Sequence, residues 1–288
     1  MNPTRPNEGH PEEAGYALVA AVACIAVFAA LALAAASAAR MTAVSGGAEV
    51  AQAKAAAAAD AGLAMAIHGL LARDPRILSA LSGREVHFDY SEAAISVRIA
   101  DENGKVPLNR MDEARATRLL EQAGLEGNSL AIARDSLLDW LDGDDEARPD
   151  GAEIGYYELF GVAPRNGALQ SIDELAKIRG FSRQTVERLR PIVTVEPDVN
   201  GFDPNSADPR AIAVMEEGDR GAVTAIARAK AIEGQQTAFD IGGARDLARR
   251  PLTILIDARI PGEGHAHREV TLLLTRSGVR PYLIKSYR

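Results

Sequence analysis

The sequence has little cysteine, few aromatic residues and no excess of positive charge. Cys24 is the only cysteine, so the chain can form no disulfide within itself and offers no thiol nucleophile outside the apolar stretch that holds Cys24. Trp140 is the only tryptophan. Asp and Glu outnumber Lys and Arg by 40 to 32, which gives a formal net charge of −8. An acidic chain lacks the basic surface that nucleic acids require, so we expect no nucleic-acid partner.

Motifs of familiar catalytic chemistry are also missing. The sequence contains no Ser–His–Asp constellation, no glycine-rich phosphate loop and no zinc-ligand spacing. His265 and His267 are separated by one residue and could bind a metal from one face of a strand. We place them instead in a glycine-containing loop over residues 262–267, where Glu263 is the only close carboxylate and where solvent exposure is expected. The sequence therefore predicts a protein that is not an enzyme.

The longest uniform feature is an apolar stretch over residues 16–39. It contains no charged residue, no histidine, asparagine or glutamine and no proline, and Arg40 follows it. As a helix it is long enough to span the roughly 30 Å hydrocarbon core of a membrane. The helical pattern weakens at residues 45–47 and then continues to residue 72. We therefore expect one long helix, with its first half in the membrane and its second half outside.

Three interpretations fit the polar residues 1–15 before this helix. The helix could be a plain membrane anchor, or part of a secretory signal that is cut near residues 36–38. Residues 1–15 could also be a prepilin-type leader, in which a peptidase cuts between Gly15 and Tyr16 and the helix is retained. A secretory signal has a basic start and an apolar region of about 7–15 residues. The start here is acidic and the apolar region is longer, which favours the leader together with the motifs described below.

The pattern after residue 72 predicts an α+β fold. Strand-like alternation occurs over residues 85–90 and 94–100, with a hairpin-sized link between the two. Residues 110–190 form an all-helical module in this interpretation. One predicted helix begins after Asp112 and ends at residue 120. The others cover residues 129–141, 156–160, 172–179 and 183–189, and the predicted capping residues are Asp112, Ser171 and Ser182.

Strand character returns after this module, over residues 192–195. Helices are predicted over residues 209–217, 221–233 and 239–249, and strands over residues 252–260, 268–276 and 279–287. The expected architecture is a long helix, a sheet of about five strands and an inserted helical domain.

A dense group of carboxylates follows the helix over residues 129–141. Counted from its first member, oxygen donors stand at positions one, three, five, nine and twelve of an EF-hand calcium loop: Asp142, Asp144, Glu146, Asp150 and Glu153. Position six should be glycine and is Ala147, and Pro149 takes position eight. The competing interpretation is a solvated acidic loop. Because close like charges repel, we expect a counter-ion, and the hypothesis is a structural calcium site.

Residues 175–189 look like a helix-hairpin-helix with its turn at Gly180. Versions that bind DNA need a second glycine where this chain has Ser182, so that backbone amides can approach phosphate. Four arginines lie nearby, namely Arg179, Arg183, Arg188 and Arg190. In an acidic, membrane-anchored chain we favour a hairpin that packs or binds protein. A membrane-anchored protein for DNA binding or uptake is the alternative.

The leader and the apolar helix resemble those of the type IV pilin-like superfamily. Most members carry a glutamate at the fifth residue of the mature chain, and after cleavage at Gly15 that position is Ala20. In this superfamily the K-type minor pseudopilins of type II secretion are the members that typically lack the glutamate. A subunit without it cannot make the contact that is thought to join each subunit to the one ahead.

Motifs further along the chain are similar to those of the K-type minor pseudopilins and stand in the same order. They are residues 101–105 (DENGK) with Leu108-Asn109, residues 138–142 (LDWLD) with Gly151-Ala152-Glu153 and Tyr157, Arg165-Asn166 leading to residues 171–175 (SIDEL), and Asn205-Ser206-Ala207. Together they cover most of the chain from Gly15 to about Val214. A minor pilin of a type IV pilus is the alternative within the same superfamily.

The resemblance implies a type IV pilin-like fold with a large inserted helical domain. The implied plan is a leader (residues 1–15), a transmembrane helix (16–40), a periplasmic helix with the first strands (41–109), the helical insert (110–190) and the rest of the pilin-like domain (191–288). It also implies a single-pass protein of the bacterial inner membrane whose bulk is periplasmic.

The resemblance further implies a role and partners. The expected role is a structural subunit at the tip of the type II secretion pseudopilus, which starts assembly for protein export across the outer membrane. The expected partners are the I- and J-type minor pseudopilins, the prepilin peptidase and the secreted substrates, and methylation of the mature N-terminus is expected. Known members bind calcium in the helical domain, which agrees with the acidic loop.

Overall fold

In the computed structural model, the apolar stretch is part of one helix, α1 (Pro11–Ala72). Alanine is the strongest helix former, and the helix passes through residues 45–47 without a break. At 1.5 Å per residue, α1 is about 90 Å long. It ends before Asp74, whose side chain accepts a hydrogen bond from the Arg76 amide at 2.9 Å and caps the short helix α2 (Pro75–Ser79). The prediction of one long helix is confirmed.

The structure describes residues 11–82, 84–199, 201–215, 247–261 and 264–288. Three sequence predictions lie outside these residues: most of the leader (residues 1–10), the helix over 221–233, and all but the last three residues of the helix over 239–249.

The two halves of α1 differ in their surroundings. Ala21–Ala38 has a mean hydropathy of 2.4 and none of it is buried, whereas Gly46–Ala72 has a mean hydropathy of 1.5 and is half buried. Both are long and apolar enough to cross a membrane by length and composition. Because the second stretch packs on the rest of the protein, the first is the candidate for a single membrane anchor.

The main sheet has five antiparallel strands in the order β1-β2-β5-β6-β7. These strands are β1 (Val86–Tyr90), β2 (Ala93–Asp101), β5 (Pro251–Ile260), β6 (Gly264–Leu274) and β7 (Tyr282–Tyr287), while β3 (Val106–Pro107) and β4 (Val193–Thr194) form a separate parallel pair. A two-residue turn joins β1 to β2, with Ser91 at a φ of 56°. The expected five-stranded sheet and its first hairpin are confirmed.

Two predictions at the end of the sheet were wrong. The loop predicted over residues 262–267 does not extend past residue 263, because β6 begins at Gly264, and His265 and His267 therefore lie on a strand. Ala266 between them is buried, so the side chains alternate between the two faces of the sheet. The last strand begins at Tyr282 rather than at residue 279.

Helix α1 packs across the sheet at a close distance. A Cβ atom at Gly62 would lie 2.8 Å from Cγ2 of Ile95 and 3.2 Å from Cγ2 of Ile256, so the absence of a side chain lets the helix approach. Two polar contacts fix the same region: Nε of Arg268 and the hydroxyl of Tyr287 both donate to Oδ1 of Asp60, at 3.0 and 2.8 Å. The second half of α1 therefore packs on the sheet and forms the hydrophobic core with it.

The helical module forms a second hydrophobic core. Its helices are α3 (Glu113–Gln122), α4 (Gly127–Leu141), α5 (Ile154–Tyr157) and α6 (Arg183–Leu189), and α7 (Pro209–Met215) packs on them. Trp140 is 2% exposed, and its ring meets that of Tyr157 edge-on at 5.2 Å, as a core anchor should. The predicted caps at Asp112 and Ser182 are confirmed, since each accepts a hydrogen bond from the amide three residues on.

Two helices of the module differ from the predictions. The helix predicted over residues 172–179 is a 3₁₀ helix, Ile172–Lys177, and the helix predicted over residues 156–160 is one turn of α5 followed by the 3₁₀ helix Glu158–Phe160. The capping box at Ser171 is shifted, because Glu174 accepts from the amide of Gln170. The 3₁₀ geometry is common in such short segments and at the ends of α-helices.

A buried ion cluster joins the sheet to the helical module. Arg250, immediately before β5, donates from Nε to Oδ2 of Asp101 at 2.8 Å and from Nη2 to Oδ2 of Asp203 at 2.6 Å. Asp101 ends β2 and its side chain is fully buried, whereas Asp203 lies in the turn before α7. Next to it, a Cβ atom at Gly104 would clash with the carbonyl group of Ser206. These contacts give a structural role to Asp101 and Gly104 of the DENGK motif, and to Asp203.

Candidate metal centre

The acidic loop begins where α4 ends and places three carboxylates together. Ligand oxygens of Asp142, Asp144 and Glu153 lie within 4.8 Å of one another. Asp142 caps the C-terminus of α4, and its amide donates to the carbonyl of Leu138 at 3.0 Å. Glu153 precedes α5 and is buried, Asp142 is half-buried and Asp144 is exposed. The group is therefore open on one side.

Asp139 and Arg148 fold the loop into this arrangement. Asp139 is fully buried and accepts hydrogen bonds from the Ala152 amide at 2.9 Å and from Nη1 of Arg148 at 2.6 Å. The same Arg148 nitrogen donates to Oδ2 of Asp142 at 2.6 Å. These hydrogen bonds, first that with Asp142 and then that with Asp139, raise the pKa of Arg148 above its ordinary value. A Cβ atom at Gly151 would overlap Oδ2 of Asp139, so only glycine fits there.

Three oxygens of the group have no hydrogen-bond partner in the part of the chain that the structure describes. They are Oδ1 of Asp142 and both carboxylate oxygens of Glu153, all buried. Burial, and next the charges of Asp139 and Asp142, raise the pKa of Glu153 from 4.5 to about 7. Buried unpaired carboxylate oxygens are costly, and a cation between them would remove that cost. An all-oxygen donor set fits a hard cation such as Ca²⁺ rather than a soft metal.

Two of the five residues that the EF-hand spacing selected lie outside this group. Glu146 is exposed, and its amide donates to Oδ1 of Asp144 at 2.9 Å. The Asp150 amide donates to Oδ2 of Asp135 at 3.3 Å, on the side of α4. The helix after the loop, α5, has only four residues, so the second long helix of an EF-hand is not formed there. The structure thus brings together Asp142, Asp144 and Glu153, and it leaves Glu146 and Asp150 apart from them.

Asn166 is a further residue of the loop that the carboxylate spacing did not select. Its side-chain amide donates to the carbonyl of Asp144 and to Oδ1 of Asp145, both at 2.8 Å. The next amide, of Gly167, donates to the carbonyl of Trp140 at 2.9 Å. A segment more than 20 residues away therefore holds the acidic loop against α4. The Arg-Asn pair among the family-like motifs was the only sequence signal for it.

The helix-hairpin-helix segment uses its arginines within the protein. Arg179 and Arg188 donate to backbone carbonyls, at 2.8 and 2.9 Å, and Arg190 pairs with Asp173 at 2.5 Å. Arg183 is exposed. Because three of the four arginines stabilise the module itself, these contacts favour the packing hairpin over a DNA-binding one.

The predicted processing site lies within the backbone of α1. Gly15 and Tyr16 are both helical residues of its first turns. Cleavage between them stays a prediction.

Comparisons with known proteins match the middle and the fold of this chain. Residues 94–198, which run from β2 through the acidic loop to just beyond β4, match the family model described as Type II secretion system (T2SS), protein K. The fold is similar to that of a chain in the crystal structure of the GspK-GspI-GspJ complex from the enterotoxigenic Escherichia coli Type 2 Secretion System, with a TM-score of 0.52. That match has 16% sequence identity and covers 80% of this chain and 97% of the other. No curated protein sequence matches the chain.

Proposed function

We propose that the chain is a structural, non-enzymatic minor pseudopilin at the tip of the type II secretion pseudopilus, because residues 94–198 match the family model of type II secretion protein K. The observation that carries the proposal is the family match across the helical module. The fold supports it, because a long helix on an antiparallel sheet is the frame shared with the similar secretion-system structure.

The size of the helical module supports the proposed role. A subunit that sits beneath another needs a top surface that leaves room for it. Here the module adds a second hydrophobic core to the sheet domain, fixed through the Arg250 cluster. Residue 20 is alanine instead of glutamate, which supports a place at the tip, because a tip subunit has no subunit ahead to contact. The exported proteins themselves are the further partners in this proposal.

The proposed partners are the I- and J-type minor pseudopilins. The similar solved structure is a complex of GspK with GspI and GspJ, which supports this assignment. Exposed apolar side chains on the module, just before β7 and on β7 offer contact area for protein partners: Ile154, Leu159, Phe160, Val279, Leu283 and Ile284. The exposed anchor Ala21–Ala38 would place the assembly in the inner membrane, with the folded part in the periplasm.

Co-expression with the I- and J-type pseudopilins and a prepilin peptidase tests the role. We expect the three pseudopilins to purify together in detergent, and the intact mass of this chain to show a methylated N-terminus at Tyr16. Gly15→Leu should block the cleavage and serves as the control for processing. An N-terminus near Arg40, or a chain that purifies without the other two, would contradict the proposal.

A charge reversal separates the proposed role from DNA binding. Arg183 is exposed, so Arg183→Glu should leave the fold intact. We expect this variant to join the complex and to support secretion like the parent chain. A loss of function that accompanies loss of measured DNA binding would favour the DNA-uptake alternative.

We also propose that the acidic loop holds a structural Ca²⁺ ion. Asp142, Asp144 and Glu153 would hold it, and the ion would supply the positive charge that the buried Glu153 oxygens lack. Bridging the end of α4 to the start of α5, it would fix the loop that Asp139 and Arg148 shape. The role is to stabilise the helical module and its surface.

Calcium titration of the full chain in detergent tests this site and its ligands. We expect Glu153→Gln to weaken calcium affinity by about tenfold or more, because affinity follows the charge of the ligand set. Glu146→Gln is the matched control, since it removes a carboxylate of the same loop that lies outside the group. Equal weakening by both variants would support the EF-hand ligand set instead. If the parent chain binds no calcium, the result would contradict the proposed site and favour the interpretation as a solvated acidic loop.

A further inference from the structure

A cleft in the helical module is lined by the end of α4, by the segment after Phe160 and by the 3₁₀ helix Ile172–Lys177. Its volume is about 410 Å³, within the range of about 300–1,000 Å³ that is usual for ligand sites. The lining residues include Trp140, Val162 and Ala163, which are apolar, and Arg165, Glu174 and Lys177, which are charged. An apolar wall with a few charged groups is the usual lining of a site that binds a small ligand or a short peptide segment.

The charged side chains of the cleft leave one positive charge without a counter-charge. Nε of Arg165 lies 3.7 Å from Oε2 of Glu174, and the other carboxylate oxygen of Glu174 accepts a hydrogen bond from the Gln170 amide at 3.2 Å. Lys177 is exposed, and its side chain makes no hydrogen bond or ion pair with the residues that the structure describes. Glu174 is thus satisfied within the protein, whereas the ammonium group of Lys177 is available to the carboxylate of a ligand.

Two exposed apolar side chains immediately precede the cleft lining. Leu159 and Phe160 are 80% and 65% exposed, and Gly161, with a φ of 67°, turns the chain from them into the lining. The ring centres of Phe160 and Tyr156 are 5.1 Å apart, and those of Tyr156 and Tyr157 are 5.3 Å apart. Because Tyr157 is buried, these ring contacts hold Phe160 in place, which lowers the entropy cost of using it as a contact for a ligand.

We propose that this cleft binds a peptide segment that carries a carboxylate beside an apolar side chain. The carboxylate, of an aspartate, a glutamate or a chain end, would pair with Lys177. The apolar side chain would pack against Val162, Ala163 and Phe160. The proposal concerns binding by this chain alone and does not depend on the tip role. In a pseudopilus tip, the cleft would receive a segment of another protein of the assembly or of an exported protein.

Calorimetric titration of the full chain in detergent with three matched peptides tests the proposal. The peptides are acetyl-Gly-Leu-Val-Asp-amide, acetyl-Gly-Leu-Val-Ala with a free carboxyl group, and acetyl-Gly-Leu-Val-Ala-amide, which has no carboxylate. We expect at least one carboxylate peptide to bind with a Kd below about 1 mM and about tenfold more tightly than the neutral amide. The two carboxylate peptides distinguish a side-chain carboxylate from a chain end. Emission of Trp140, the only tryptophan, should change with the same Kd, because Trp140 lines the cleft.

Two variants and a control assign the binding to the cleft. Lys177→Met removes the positive charge and should weaken binding of the carboxylate peptides by about tenfold, with little effect on the neutral amide. Ala163→Leu narrows the cleft and should weaken binding of all three peptides. Lys54→Met is the matched control, since Lys54 is an exposed lysine on α1, and it should bind like the parent chain. Circular dichroism verifies that each variant is folded. Carboxylate peptides that do not bind below about 1 mM, or that bind Lys177→Met as tightly as the parent chain, would overturn the proposal.

Discussion

Arg250→Met is expected to lower the free energy of unfolding by about 3–5 kcal/mol, because it leaves a buried charge without its partner. The side chain of Asp101 is fully buried, and Arg250, 18% exposed, donates to it at 2.8 Å. Burial raises the pKa of Asp101, and the Arg250 hydrogen bond and charge oppose that rise. Methionine fills a similar volume but supplies neither the hydrogen bond nor the positive charge. The Asp101 carboxylate must then take up a proton or reach water by local unfolding.

Urea unfolding of the full chain in detergent measures this effect. Trp140, buried in the helical module, reports on that module by fluorescence, and far-ultraviolet circular dichroism reports on the whole chain. Because Arg250 also contacts Asp203, the unfolding midpoints from both signals should shift to lower urea concentration. Arg259→Met on the exposed side of β5 is the matched control and should change the free energy of unfolding by less than about 0.5 kcal/mol. A loss of that small size in Arg250→Met would show that the cluster contributes little.

In the absence of calcium, stability should fall as the pH rises from about 4.5 to about 7, through ionisation of Glu153. The pKa of this carboxyl is about 7 in the folded chain, against an ordinary value of 4.5. A group whose pKa is raised by folding contributes stability below its unfolded pKa, and that stability is lost as the pH passes the folded pKa. At 1.36 kcal/mol per pH unit, the loss is about 3 kcal/mol.

The difference between the parent chain and Glu153→Gln isolates this contribution from those of other carboxyl groups. With a calcium chelator present, the variant should lack the 3 kcal/mol decrease and should be the more stable protein at pH 8. Calcium at pH 8 should restore the stability of the parent chain and have little effect on the stability of Glu153→Gln. Glu146→Gln should follow the parent chain at every pH. Parallel pH profiles for the parent chain and Glu153→Gln would contradict the assignment.

Local patterns were enough to predict most of the elements. The long helix followed from alanine content and the absence of breakers, and the first hairpin followed from alternation over a few residues. The strand β6 was missed at its start because a glycine and two histidines hid the same alternation, although Ala266 between the histidines is buried. The 3₁₀ geometry of Ile172–Lys177 depends on how its ends are capped and packed, which periodicity does not report.

The sequence by itself determined the membrane-length helix, the α+β class and the position of the acidic loop, because these depend on residues that are neighbours in the chain. Only the tertiary structure decided which side chains meet. It joined Glu153 to Asp142 and left Glu146 and Asp150 aside, since Asp139 and Arg148 bend the loop. It also brought Arg250 to Asp101, 149 residues away. Such contacts depend on the path of the whole backbone and on the burial of charge, which no local pattern contains.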